Sequence, residues 1–289
     1  SLVVSTTEAE VLHLPFDDLS FWGDEVDSSV FNKLWQGFHQ GPILAVDLCR
    51  QLPLAATVGS DRVVKIWNHE TWQCLVHKQL MDQTWSVALH PSGTSMVVGM
   101  TDKLRVFMIL KDDILEAATI GIRKCDVVSY SHGGKYFAAV NPRTNNIQVF
   151  DSYSYVQVAL LQGHMSTVSS ISWAPKDTIL ISAGAGGALY RWDAITFERV
   201  RDADHVDKAH TFTSVQTNMA GNWSIARTEK GRLMTISKEG IPVFEGATVP
   251  GENPIVMTAS DRVVLAPTSN GSIITYAWPK AFPAGANYD

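Results

Sequence analysis

The chain has 289 residues, 45% of them hydrophobic and 18% charged, a balance that supplies a substantial core and excludes disorder as the main state. A net charge of -6 has the wrong sign for a protein that grips a phosphate backbone, so nucleic acid is not an expected partner. No run approaches the roughly eighteen continuous apolar residues of a membrane span, and Ser1 opens without a basic stretch leading into an apolar one, so neither a membrane nor a secretory route is expected.

In chain order, residues 1–15, SLVVSTTEAEVLHLP, predict two strands that align with the later ILISAGAGGALYRW, and so read as the closing strands of a preceding or terminal blade. Residues 16–35, FDDLSFWGDEVDSSVFNKLW, break the pattern. Five acids (Asp17, Asp18, Asp24, Glu25 and Asp27) mix there with Phe16, Phe21, Trp22 and Phe31. A long insertion of that composition is either partly disordered or a docking segment, and the four aromatics just named are candidate partner contacts.

From 36 to 289 one unit recurs six times. An alternating run reaches a tight turn (HPSG at 90–93, SHGG at 131–134, APKD at 174–177, NMAGN at 218–222) and a second apolar run follows. A short polar turn then leads into a strand ending at Trp67, Phe107, Phe150, Trp192, Ile236 or Tyr276, and a polar link carries the chain to a fourth, more amphipathic run. The strand-ending residues lie 40 to 44 apart. Four short strands in a unit of that length, with almost no helical periodicity, predict an all-β fold, a β-propeller. Counting the strand that ends at Leu14 makes seven blades, with the chain a fragment of something longer: either one seven-bladed ring, or six blades and the tail of a preceding ring. The identical SDRVV at 60–64 and 260–264 is out of phase with this grid, and the second copy belongs to a middle strand.

GSDRVVKIWN, 59–68, and AGGALYRWD, 185–193, resemble the signature of WD repeats, in which a histidine, a Ser or Thr, an aspartate and a tryptophan form a hydrogen-bonded tetrad. The matching residues are His39, Thr57, Asp61 and Trp67; a second set, His164, Ser182 and Trp192, has Gly186 where the aspartate belongs. The remaining units replace the tryptophan by Phe, Ile or Tyr and are expected to rely on apolar packing. A His-Ser-Asp set also invites a hydrolase reading, but the structural tetrad explains the spacing without a substrate. No GxSxG elbow, phosphate loop or HExxH pair is present.

The nine histidines give no cluster at metal spacing, and Cys49, Cys74 and Cys125 form no CxxC pair. These cysteines read as buried thiols, and no cofactor or metal is expected. Asp112-Asp113 reads as a solvated turn. Trp72, Tyr155 and Phe197, each five residues beyond a strand-ending aromatic, read as packing between blades or as an outer-edge contact surface.

HPSGTSMVVGMTDKLRVFMILKDDI at 90–114, SHGGKYFAAVN at 131–141 and GALYRWD at 187–193 make the chain similar to the WD-repeat region of the cilia- and flagella-associated proteins that carry tandem propellers and a long coiled coil. That resemblance implies a non-catalytic axonemal scaffold in the cytoplasmic cytoskeleton of a cilium or flagellum. Its implied partners are inner-arm dyneins, the dynein regulatory complex or radial spokes, and doublet microtubules. The coiled coil of those proteins is not in this sequence. The reading competes with a general cytosolic WD-repeat adaptor, such as a substrate receptor for ubiquitin ligation, and with a propeller hydrolase that has a central-channel site.

Overall fold

A computed structural model describes residues 39–218 and 221–243 in full, and by backbone alone the strands Leu2–Ser5, Glu10–Leu14, Asn32–Gln36, Val256–Met257, Val263–Pro267 and Ile273–Ala277 together with the rest of Pro242–Thr248. The aromatics Phe16, Phe21, Trp22 and Phe31 lie outside the described residues.

Among the described residues the strands form seven antiparallel sheets, five of four strands and two of three. In the first complete sheet, Ile43–Leu48, Leu54–Gly59, Val63–Asn68 and Gln73–Gln79 pair in chain order. Four further sheets repeat this up-and-down meander. The innermost strands, Ile43–Leu48, Thr84–Leu89, Val128–Tyr130, Val168–Trp173, Phe212–Thr217 and Val256–Met257, lie side by side from one sheet to the next. Each sheet is thus a blade, and its inner strand faces an axis shared with its neighbours. The fold is an all-β WD-type propeller. Blades are numbered here from the one containing Leu2–Ser5.

The order of events inside a blade follows from residue chemistry. In the turn after the inner strand, Gly93, Gly134 and Gly221 take left-handed φ of 72°, 77° and 74°, which glycine adopts without a Cβ clash. In the fifth blade Lys176 and Asp177 adopt that region instead, and the Asp177 carboxylate accepts from the His132 and Gly133 N–H groups of the blade before. Middle strands such as Ser95–Met100 are buried along their whole length, whereas outer strands such as Gln73–Gln79 alternate between exposed and buried residues. The difference arises because neighbouring blades cover both faces of a middle strand while solvent reaches the outer one. Apolar clusters accordingly span two blades: Val58 and Ile66 pack with Val87, Val98 and Phe107.

Two sequence expectations need adjustment. Asn32–Gln36 pairs antiparallel with Glu10–Leu14 and forms the outer strand of the first sheet, so residues 32–35, placed by sequence in the insertion, continue the blade. Cys49 and Cys125 are buried, but Cys74 is only partly so, because it lies on an outer strand that solvent reaches.

Candidate functional site

Two constellations answer to the sequence motifs, and a third was not foreseen. In the second blade, the inner-strand approach, the middle strand and the turn after it converge. Trp67 Nε1 donates to Thr57 Oγ1 over 2.9 Å, Thr57 Oγ1 and His39 Nε2 are 2.8 Å apart, and His39 Nδ1 donates to Asp61 at 3.0 Å. With Nδ1–H committed to the carboxylate, the Thr57 hydroxyl donates to Nε2, and every polar atom of the chain of four has a partner. Asp61 also accepts from the Gln40 and Val63 N–H groups at 3.0 and 3.1 Å. Burial pushes its carboxyl up, but these N–H donors and His39 more than offset that and hold it below the usual carboxylate range.

The fifth blade holds the shorter set. Trp192 Nε1 donates to Ser182 Oγ at 2.9 Å, and Ser182 Oγ lies 2.7 Å from His164 Nε2. With Gly186 in the aspartate position, His164 Nδ1 is buried without a hydrogen-bonding partner among the described residues. Burial, helped by the nearby Arg199 guanidinium, pushes the imidazole down to about 4. The ring instead packs on Tyr190, centroids 4.4 Å apart. Ser182 and the His39 ring are fully buried, so neither set presents a hydroxyl or imidazole to a substrate.

Sequence reading missed two glycines on which these sets depend. A Cβ at Gly59 would come within 2.5 Å of His39 Nδ1, and one at Gly184 within 2.7 Å of His164 Nδ1. Both lie twenty residues after their histidine, a spacing that could have revealed them. Elsewhere the hydroxyl and the indole are lost together: Val98 with Phe107, Ala139 with Phe150 and Ala226 with Ile236, all buried. An indole N–H without its acceptor is a buried unpaired donor, so the two positions change as a pair.

The unforeseen constellation lies at the channel. Asp47, Ala88, Ser129, Ser172 and Gln216 occupy one register position, next to last on successive inner strands. Four of them, with Arg50, His132 and Trp173, line a cavity of about 160 Å³ at the mouth of the channel. The inner strands do not pair as a sheet there and are laced by side chains. Asp47 Oδ2 accepts from Leu89 N–H at 2.7 Å, Ser172 Oγ from Thr217 N–H at 3.2 Å, and Trp173 Nε1 donates to Ser129 O at 3.2 Å. Arg50 Nη2 lies 3.3 Å from His132 Nε2. Burial pushes the Asp47 carboxyl up to about 6 against the pull of the Leu89 and Leu48 N–H groups and Arg50.

This cavity opens at the end of the propeller that carries the inner turns and, because the strands are antiparallel, the links to the outer strands. Each of the second to sixth blades presents a large apolar side chain to solvent there: Leu52 and Trp72 in the second, then Leu110, Tyr153, Ile195 and Ile241. Trp72, Tyr155 and Phe197 all have left-handed φ near 58°, yet they differ in surroundings. Phe197 meets Tyr136 of the preceding blade edge-on at 5.5 Å and Tyr155 packs against the buried cluster that contains Val106, Phe137 and Phe150, whereas Trp72 is 75% exposed. Asp113 is bound by Lys78 Nζ at 2.7 Å, so that turn is solvated on one side and tethered on the other. Among the described residues no group of three or more His, Cys, Asp or Glu side chains could hold a metal ion, and no helix is long and apolar enough to cross a membrane.

Blades of four strands, an indole anchored to a hydroxyl and a histidine beside it define a WD-repeat β-propeller. Residues 155–193 match the family model described as WD domain, G-beta repeat. The chain is 34% identical over 88% of its length to Cilia- and flagella-associated protein 57 of Mus musculus, and covers 20% of that protein. It is 32% identical over 53% of its length to Cilia- and flagella-associated protein 57 C of Tetrahymena thermophila, covering 13% of it, and 30% identical over 64% to the 77 kDa echinoderm microtubule-associated protein of Strongylocentrotus purpuratus, covering 28%. The chain belongs to the WD-repeat cilia- and flagella-associated family, and spans about a fifth of the length of the mouse relative.

Proposed function

We propose that the chain is a non-catalytic scaffold of the ciliary or flagellar axoneme, a propeller head that helps dock or assemble inner-arm dyneins on doublet microtubules. The observation that carries the docking role is the ring of solvent-facing apolar side chains, Leu52, Trp72, Leu110, Tyr153, Ile195 and Ile241, repeated blade by blade at one end. Apolar groups held out by a rigid ring favour contact with other proteins, since burying them removes area from water at about 25 cal/mol per Å². Cilia and microtubules come from the relatives' names: two are cilia- and flagella-associated proteins and a third a microtubule-associated protein. Dynein regulatory complex or radial-spoke components are the neighbours such a head would meet. The buried histidines and hydroxyls support the non-catalytic reading, because no substrate reaches them.

The test is to tag the protein in a ciliated cell, strip isolated axonemes with rising salt and identify what stays with it by mass spectrometry. Retention together with inner-arm dynein subunits is expected. A freely soluble protein recovered with ubiquitin-ligase subunits would overturn the axonemal reading in favour of a cytosolic adaptor.

A further inference from the structure

The channel mouth carries a charge that the fold does not need. Asp47 and Ser172 hold the same position on inner strands three blades apart, and each accepts the N–H of the equivalent residue of the next strand, Leu89 or Thr217. Serine accomplishes this lacing without charge. A carboxylate in the same place adds the cost of desolvating an anion, which is steep unless a cation meets it. Among the described residues no cation lies within ion-pair distance of it, and Arg50 acts on it only from further off. Asp47 has no ion pair, its two oxygens accept only from the Leu89 and Leu48 N–H groups, and the nearby Arg50 guanidinium reaches His132 instead. Beside the carboxylate, Ser129, Ser172 and Gln216 add neutral oxygens to a cavity of about 160 Å³, room for one side chain and not for a folded segment.

We propose that the channel mouth receives one basic side chain, a lysine or arginine, from a partner protein seated on the apolar ring, with Asp47 as its counter-charge and Ser129, Ser172 and Gln216 as neutral acceptors. This rests on the docking reading above and specifies what its partner presents at the centre of the contact. The apolar ring supplies area, and the partly buried carboxylate supplies selection, because a partner with an apolar or acidic residue at that point would leave Asp47 unpaired or repelled.

A pH dependence follows. The carboxyl sits near 6, so lowering the pH through that value removes the counter-charge and weakens binding. Of the other groups at the mouth, His132 is the one whose protonation would act in the same sense, so the Asp47→Ser variant carries the assignment to Asp47. The Arg50 guanidinium is held at His132. His132 is pushed below its usual value by burial and by Arg50, and so is neutral above it. The Asp177 carboxylate is engaged by backbone N–H groups, and burial pushes the Tyr130 hydroxyl far above this range.

The experiment follows the Trp173 indole N–H resonance of the full chain, assigned with Trp173→Phe, while the capped tripeptides acetyl-Gly-Lys-Gly-amide, acetyl-Gly-Arg-Gly-amide and acetyl-Gly-Glu-Gly-amide are added at millimolar concentration. A saturable shift with a basic tripeptide, none with the acidic one, and at least tenfold weaker binding at pH 5 than at pH 7.5 are expected. Asp47→Ser copies the lacing at Ser172; it is expected to keep the far-ultraviolet dichroism and denaturation midpoint of the parent and to lose the response. Absence of a saturable shift with either basic tripeptide, an equal response to the acidic one, or an undiminished response in Asp47→Ser would overturn the proposal. None of those results touches axonemal retention, so the two readings fail separately.

Discussion

The aspartate position of the tetrad, filled by Asp61 in the second blade and by Gly186 in the fifth, has opposite electrostatic consequences for its surroundings. Asp61 gathers two backbone N–H groups and an imidazole, so its removal strands His39 Nδ1 and the Gln40 and Val63 amides at once. Asp61→Ala should lower the unfolding free energy by about 1–3 kcal/mol, read as a shift of the urea midpoint; an unmoved midpoint would mean that water replaces the carboxylate at no cost. His164 lacks that partner and stays neutral down to about 4, against an ordinary value of 6.5. The unfolded imidazole takes up a proton first as pH falls, so this contribution is complete above 6.5, is lost between 6.5 and 4, and is flat below. The expected loss is about 3 kcal/mol. Asp47 works in the reverse sense, adding stability as pH falls through 6, so the measurable quantity is the difference between the parent and His164→Phe at pH 7, 5.5 and 4. That difference should narrow as the pH drops, and a constant one would dismiss the assignment.

Within a blade, the unit of variation is a pair of residues facing each other across two strands. Trp67 and Trp192 have hydroxyl partners at Thr57 and Ser182; where the third strand ends in Phe107, the matching position is Val98. Phe107→Trp alone should cost about 1–3 kcal/mol, because it buries an indole N–H with no acceptor. Adding Val98→Thr should return about 1 kcal/mol of that loss. A double variant no more stable than the single one in urea titration would show that ring size, and not the unpaired donor, sets the cost. The links to the outer strands show a second coupling. Asn68, Asp151 and Asp193 each accept two N–H groups of the turn that follows. That capped turn places Trp72, Tyr155 and Phe197 in left-handed backbone.

Over the whole ring, the two ends differ in what they offer. In the second to sixth blades the channel-mouth end carries an exposed large apolar residue, while at the other end Met81 and Met165 stand out from the loops that lead into the third and fifth blades. Tyr153→Asp together with Ile195→Asp should leave the denaturation midpoint within about 0.5 kcal/mol of the parent, since both side chains are mostly in solvent, and should release the protein from axonemes at lower salt. Met81→Asp with Met165→Asp should do neither. If the second pair weakened retention and the first did not, docking would belong to the opposite end.

The repeat and the tetrad residues were legible along the chain, because each is local. A strand period, a turn residue and a spacing of about 42 residues recur whatever surrounds them. Even Gly59 and Gly184 left a signal in their common distance from a histidine. Asp47 left none, since nothing in ILAVDLC separates a carboxylate in solvent from one at the mouth of a channel. Its neighbours there, Ser129, Ser172 and Gln216, are some 80 to 170 residues away along the chain. The same holds for the apolar ring: single exposed residues on six separate turns look unremarkable one at a time. They become a surface only when the packing of neighbouring blades brings all six turns to one end, and burial, charge and exposure at these positions are properties of that arrangement and not of any segment within it.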